Sequence, residues 1–131
     1  MKFSMEELNP GTWFDLDEEN SEKGSICIRV MNTATRSKLS SLCTKKIEKF
    51  KKGQRYEITK FDDIRWDKEF YDYVIVDWKG LEDEKGTPIP CTAENKLKLA
   101  TESVVFLNIL TDAMDKLNEA QEEQEEATEK N

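Results

Sequence analysis

Histidine is absent from the 131 residues, so the side chain that most often acts as general base, metal ligand or partner of a serine or cysteine nucleophile is missing. That absence argues against most catalytic mechanisms, and the chain is expected not to be an enzyme. Cysteine is sparse. Cys27, Cys43 and Cys91 are odd in number, far apart and without a Cys-x-x-Cys pair, so they outline neither a disulfide framework nor a zinc site and read as buried thiols. No metal and no cofactor is expected. Long apolar runs are also missing: nothing approaches the roughly 20 residues that span a bilayer. The start, "MKFSMEELNPGTWFDL", has acidic residues where a signal peptide needs an unbroken apolar segment. A soluble, cytoplasmic protein is expected on those grounds.

Charge is what the sequence has in quantity. Charged residues make up 37% of the chain, as do hydrophobic ones, and the formal net charge is −8. A chain of this length supports one core rather than two, and part of it must be solvated. The charge is polarised: residues 36–60 hold nine Lys or Arg against two Glu, whereas the last fourteen, "NEAQEEQEEATEKN", hold six Glu and one Lys and no apolar residue larger than alanine. The expected organisation is a single α+β domain over residues 1–117, followed by an acidic C-terminal tail over 118–131 that extends a helix or is disordered.

The fold class rests on hydrophobic periodicity. "GTWFDLDEE" and "SICIRVMN" flank an acidic turn and predict an N-terminal β-hairpin, with Ile26, Ile28 and Val30 on one face and Cys27, Arg29 and Met31 on the other. Asn32 or Thr33 can cap a helix starting near residue 33, whose stripe of Leu39, Leu42 and Cys43 continues through Ile47 and Phe50. From residue 46 to 61 two readings stay open, the continued helix or a second, charged hairpin turning at Lys52-Gly53. Asp62-Asp63 is a plausible cap for a helix running through "IRWDKEFYDYVIVDWKGL", because Trp66, Phe70, Tyr73, Val74, Trp78 and Leu81 keep helical spacing for four turns. "YVIVDW" alone also reads as a strand, and the helix is preferred. Thr92 or Cys91 precedes a short helix, "AENKLKLATE", and the final helix carries Phe106, Ile109, Leu110, Ala113, Met114 and Leu117 on one stripe. The sum is a short hairpin packed on a small helical bundle.

Sites are few. A calcium loop built on Gly86 would place Leu81 and Lys85 at ligand positions and Thr92 where a bidentate Glu is needed, and one built on Gly24 fails similarly. Cys91 at a helix N-terminus would have a lowered pKa, yet no histidine stands by as base. The basic segment, with Lys45, Lys46, Lys49, Lys51, Lys52 and Arg55 interleaved with Phe50 and Tyr56, is the best candidate for a partner surface. Lysines neutralise phosphates and aromatics stack on bases, so nucleic acid is one such partner, opposed by the net negative charge. An acidic protein surface is another, and the glutamate tail could itself screen the segment.

Residues 77–99 pack Trp78, Gly80, Gly86, Pro88, Pro90 and Thr92 between two apolar runs and read as a structural joint: an aromatic plug, two flexible turns, two stiff residues and a cap. "IVDWKGLEDEKGTPIPCTAENKLKL", followed by a helix beginning at "SVVFLNIL", resembles small proteins encoded among the tail genes of long-tailed bacteriophages and prophages, which are regarded as tail assembly chaperones. The resemblance is closest over residues 74–99 and looser elsewhere. It implies a non-enzymatic protein of the bacterial host cytoplasm that binds the tape-measure protein, keeps it soluble and recruits tail tube subunits. In some relatives a frameshift yields a longer form. Self-association is left open.

Overall fold

In the computed structural model, which describes residue 1 and residues 8–129, with side chains as far as Ala120 apart from Ser21, the alternating N-terminal segment forms the hairpin that its pattern predicts. Strand β1 (Thr12–Asp15) pairs antiparallel with β2 (Ser25–Ile28), Thr12 opposite Ile28 and Asp15 opposite Ser25. Residues 2–7, which belong to the acidic start read against a signal peptide, lie outside the described residues. Ile26 and Ile28 point into the core, fully buried. Because β2 stops at Ile28, the alternation expected to continue through Met31 does not: Met31 turns inward and joins the core, and Val30 is only half-buried.

Helix α1 (Thr33–Leu42) follows, its first turn closed by Asn32, whose side chain accepts from the Thr35 amide at 2.8 Å. It ends sooner than the stripe predicted. Leu39 and Cys43 are buried, but Leu42 is 43% exposed. The open choice at 46–61 resolves as a hairpin, β3 (Thr44–Lys51) and β4 (Gln54–Phe61). Asp62 then caps α2 (Asp63–Val74) through the Arg65 amide at 3.1 Å.

The expected helix from residue 62 to 81 is corrected. Helix α2 ends at Val74, and residues Ile75–Lys79 form strand β5 on the other side of β2, which gives a three-stranded sheet in the order β1-β2-β5. Arg29 explains the stop: its amide donates to the Val74 carbonyl at 2.9 Å and its Nε to the Tyr73 carbonyl at 2.7 Å, so a cation takes the last acceptors of the helix. The β-branched pair Ile75-Val76 then suits the sheet. A bulge explains why helical spacing fitted a strand. Ile28 pairs with Ile75 and Ile26 with Trp78, so one extra residue lies in β5 and two residues three apart share the buried face.

The joint after β5 holds the sheet to the helices. Trp78, 5% exposed, stands edge-on to Phe106 with ring centres 5.9 Å apart, and its indole N–H donates to the Ile89 carbonyl at 2.7 Å. Gly80 has φ +80°, and a Cβ there would lie 2.7 Å from the Gly24 Cα, so two glycines let the loop cross the first hairpin. The Asp83 carboxylate accepts from the amides of Lys85 and Thr87, which closes a tight turn around Gly86. Pro88 bridges to Glu82, and the Pro90 carbonyl accepts from the Thr92 amide and the Asn95 side chain. Thr92 caps α3 (Ala93–Glu102) through the Asn95 amide at 3.2 Å.

Lys96 is 7% exposed, yet its ammonium is satisfied by the side chain and the carbonyl of Asp72, each at 3.1 Å, tying α3 to α2. Ser103 breaks the line of α3, and α4 (Val104–Glu129) carries Phe106, Leu110, Ala113 and Leu117 into the core, with Ile109 and Met114 at its edge. The helix thus runs to Glu129, through most of the acidic segment 118–131; residues 130 and 131 lie outside the described residues. The fold is α+β, an N-terminal hairpin extended by β5 and covered by helices.

Trp78→Ala is expected to lower unfolding free energy by about 3–5 kcal/mol, measured as a shift of the urea midpoint with an unchanged slope. A variant as stable as the parent would show that the indole is not the plug described.

Candidate interaction surface

The two long strands β3 and β4 have little behind them: most of their side chains are exposed, with Thr44, Ile47 and Ile58 partly covered. They form an arm. Its tip is the two-residue turn Lys52-Gly53 with φ of 53° and 77°, the left-handed pair that matches strand twist in a tight hairpin. Nothing lies within 4 Å of a Cβ built on Gly53, so the glycine answers to the turn and not to crowding. At the root, the Asp62 amide donates to the Cys43 carbonyl at 2.7 Å and the Thr44 hydroxyl to the Ser40 carbonyl at 2.7 Å. A run of aromatic contacts anchors it further, Phe61 on Trp66 at 5.8 Å, Trp66 on Phe70 at 6.1 Å and Phe70 on Tyr71 at 5.4 Å.

Register divides the arm into two faces, since successive residues of a strand point to opposite sides. The pairs Lys45–Lys60, Ile47–Ile58, Lys49–Tyr56 and Lys51–Gln54 make one face, with four lysines, three apolar groups and no acid. The pairs Lys46–Thr59, Glu48–Glu57 and Phe50–Arg55 lie on the other, where Arg55 and Glu48 form an ion pair. The six basic residues singled out in the sequence therefore all lie on the arm but not together. Lys45, Lys49 and Lys51 share the acid-free face, Lys46 and Arg55 take the mixed one, and Lys52 sits in the turn. Lys60, Ile47 and Ile58 complete the first face, and alternation counted outward from Lys52-Gly53 would have found them.

A shallow cleft of about 450 Å³ opens where the acid-free face meets α2, lined by Lys45, Ile47, Lys60 and Ile64 beside Asp62 and Asp63. A second, of about 420 Å³, lies between the β1–β2 hairpin and α4. Phe14, Leu16 and Ile109 form its apolar wall, and Asp15, Glu18, Asp112, Asp115 and Glu119 make its rim acidic. Among the described residues Lys116 is the one basic member of the lining, and it is paired with Glu18. Large apolar side chains also stand in solvent, among them Phe50 near the tip of the arm, 73% exposed, Val104 and Val105 at the start of α4, 74% and 71% exposed, and Ile64 and Leu8.

The cysteines have environments that suppress reactivity. Burial pushes the thiols of Cys27 and Cys43 above their ordinary value. Burial likewise raises Cys91, outweighing the nearby Lys96, which corrects the lowered pKa expected there. Among the described residues no group of three or more His, Cys, Asp or Glu is placed to hold a metal ion, and no helix is long and apolar enough to cross a membrane. The calcium-loop position of Asp83 is taken instead by backbone amides.

A protein family matches this sequence over most of its length. Its model, described as YdaY prophage protein, covers residues 31–131, from the end of the first hairpin through the arm, the joint and α4. The chain belongs to the YdaY prophage family. Comparison with curated proteins and with solved structures gives no significant match. The YdaY match includes both the arm and the joint, while β2, outside the matched span, supplies Ile26 and Ile28 to the core of this chain.

The thiol shifts carry a pH dependence. Below the ordinary thiol value of 9.0 folded and unfolded chains both hold neutral thiols, and the contribution to stability is complete. Above it the unfolded chain ionises first, so stability is expected to fall as pH rises towards the raised folded values. Urea midpoints measured between about pH 8 and about pH 10.5 should decline for the parent and decline less after Cys27→Ala and Cys43→Ala; equal declines would remove the thiols as the cause.

Proposed function

We propose that this prophage-family protein is a non-enzymatic chaperone of phage tail assembly that binds the tape-measure protein. One observation carries the reading: large apolar side chains, Phe50 on the arm and Val104 and Val105 on α4, stand in solvent on an otherwise heavily charged surface. Apolar side chains set among charges are what a solubilising partner offers to an apolar helix. The tail-gene resemblance of residues 74–99 and the prophage family support the same reading. Trp78, Gly80, Gly86, Pro88, Pro90 and Thr92 serve it indirectly, by fixing α3 and α4 against the sheet. Tail tube subunits are further partners in this scheme.

A second reading, nucleic-acid binding, is favoured by one observation, the acid-free row of lysines beside Tyr56. It requires affinity for short single-stranded oligonucleotides that falls steeply with salt; a flat titration at low salt dismisses it.

Co-expression with the tape-measure protein of the same prophage should raise that protein's soluble yield. The triple variant Phe50→Ser, Val104→Ser, Val105→Ser should keep the circular dichroism and thermal transition of the parent and lose most of the effect. An unchanged client yield with the parent chain would sink the reading.

A further inference from the structure

We propose that the arm of one copy docks in the acidic cleft of a second copy, so that the protein assembles head to tail. This goes beyond the client-binding reading and uses other surfaces. The two sides match in charge and in apolar content. The arm offers Lys45, Lys49 and Lys51 around Ile47, Ile58 and Tyr56, with no acid on that face. The cleft offers Glu18, Asp112 and Asp115 around Phe14, Leu16 and Ile109.

Lys116 already shows what the cleft accepts. Its ammonium, half-exposed, pairs across the cleft with Glu18, which is 72% exposed. An incoming lysine of the arm can take the place of Lys116 at Glu18 while the remaining acids bind its neighbours. The arm is built to reach: eight residues of strand at about 3.4 Å each give a projection of roughly 27 Å from its root. Both partners are preformed, so little ordering is needed on contact. Arm and cleft are different surfaces, so the contact is heterologous, and repeated use produces a row or a closed ring. A chain with net charge −8 resists self-association in general; the polarisation of that charge onto separate surfaces makes this one contact attractive.

Sedimentation velocity of the full chain tests the proposal by charge exchange. At low salt the parent should form oligomers that grow with concentration or close into a ring, and at about 1 M salt, where screening reduces the Debye length to about 3 Å, it should be monomeric. Reversing the arm with Lys45→Glu, Lys49→Glu and Lys51→Glu should give monomers, as should reversing the cleft with Asp112→Lys and Asp115→Lys. Mixing the two variants should restore association, and so should combining both sets in one chain. Circular dichroism of each variant reports that it is folded, and the mixed sample is its own control, because misfolded chains would not rescue each other. A parent that is monomeric at low salt overturns the proposal, as do association indifferent to salt, failure of the mixture to associate, and oligomers that vanish on nuclease treatment. None of these results depends on the tape-measure protein, so client solubilisation and self-assembly stand or fall separately.

Discussion

The pairing of β2 with β5 is the constraint on which the rest of this structure depends. It joins residues that are far apart in the chain, Ile28 to Ile75 and Ile26 to Trp78, and all four are buried. Each such side chain contributes about 1.5–3 kcal/mol on leaving water, and together they form the floor on which Phe106, Leu110, Ala113 and Leu117 of α4 rest. The bulge in β5 is part of the device, since without the extra residue Trp78 would face away from the helices. Once Trp78 is in place, its indole holds Ile89, Gly80 passes Gly24, and the direction of α3 follows from the Thr92 cap.

What could be read in the sequence was whatever local chemistry decides. Asn32, Asp62 and Thr92 announce helix starts because a short acceptor side chain before an amphipathic run has one common use, and all three do cap. The stripe of α4 was legible because it continues for several turns. Residues 75–79 were not, because the bulge gives a strand the i, i+3 spacing of a helix, and the partner that settles the matter, β2, is remote. The arm was ambiguous for a related reason. Its strands are barely buried, so Ile47, Phe50, Tyr56, Ile58 and Phe61 fit strand spacing only with an irregularity, and Lys52-Gly53 signals the turn. Of the candidate surface, the basic residues were visible but their division between two faces was not, since that depends on register. The acidic cleft was missed altogether: Glu18 and Asp115 are ordinary solvated acids until the hairpin and α4 are brought together.

The molecule keeps its charges in separate places. The basic arm is anchored beside α1 and α2, the acid-rimmed cleft lies between the first hairpin and α4, and the acidic end of α4 continues past the last core residue, Leu117. Among the described residues, by contrast, the interior holds one ammonium, Lys96, which donates to the carbonyl and the carboxylate of Asp72. The residues that build the core are therefore not those of the arm or of the cleft rim. The core spans both the segment that matches the YdaY prophage family and the hairpin before it, whereas the arm is attached chiefly through its root. Surface changes on such an arm leave the sheet and its helices untouched.

The closed root of the arm also bears on the order in which the chain folds. Strand β2 is synthesised long before β5, and until Ile75–Lys79 emerge its Ile26 and Ile28 have no neighbour on that side. The delay is governed by the search that brings the two strands together, which lengthens with the sequence separation of the contact. Hairpin formation takes microseconds, far less than the addition of a residue by the ribosome. With the Cys43 carbonyl and the Asp62 amide joined, residues 44–61 drop out of the loop that must be closed. An arm closed before β5 emerges would be a short cut through the chain, bringing β5 within easier reach of β2 and shortening the time for which an apolar strand edge is left bare.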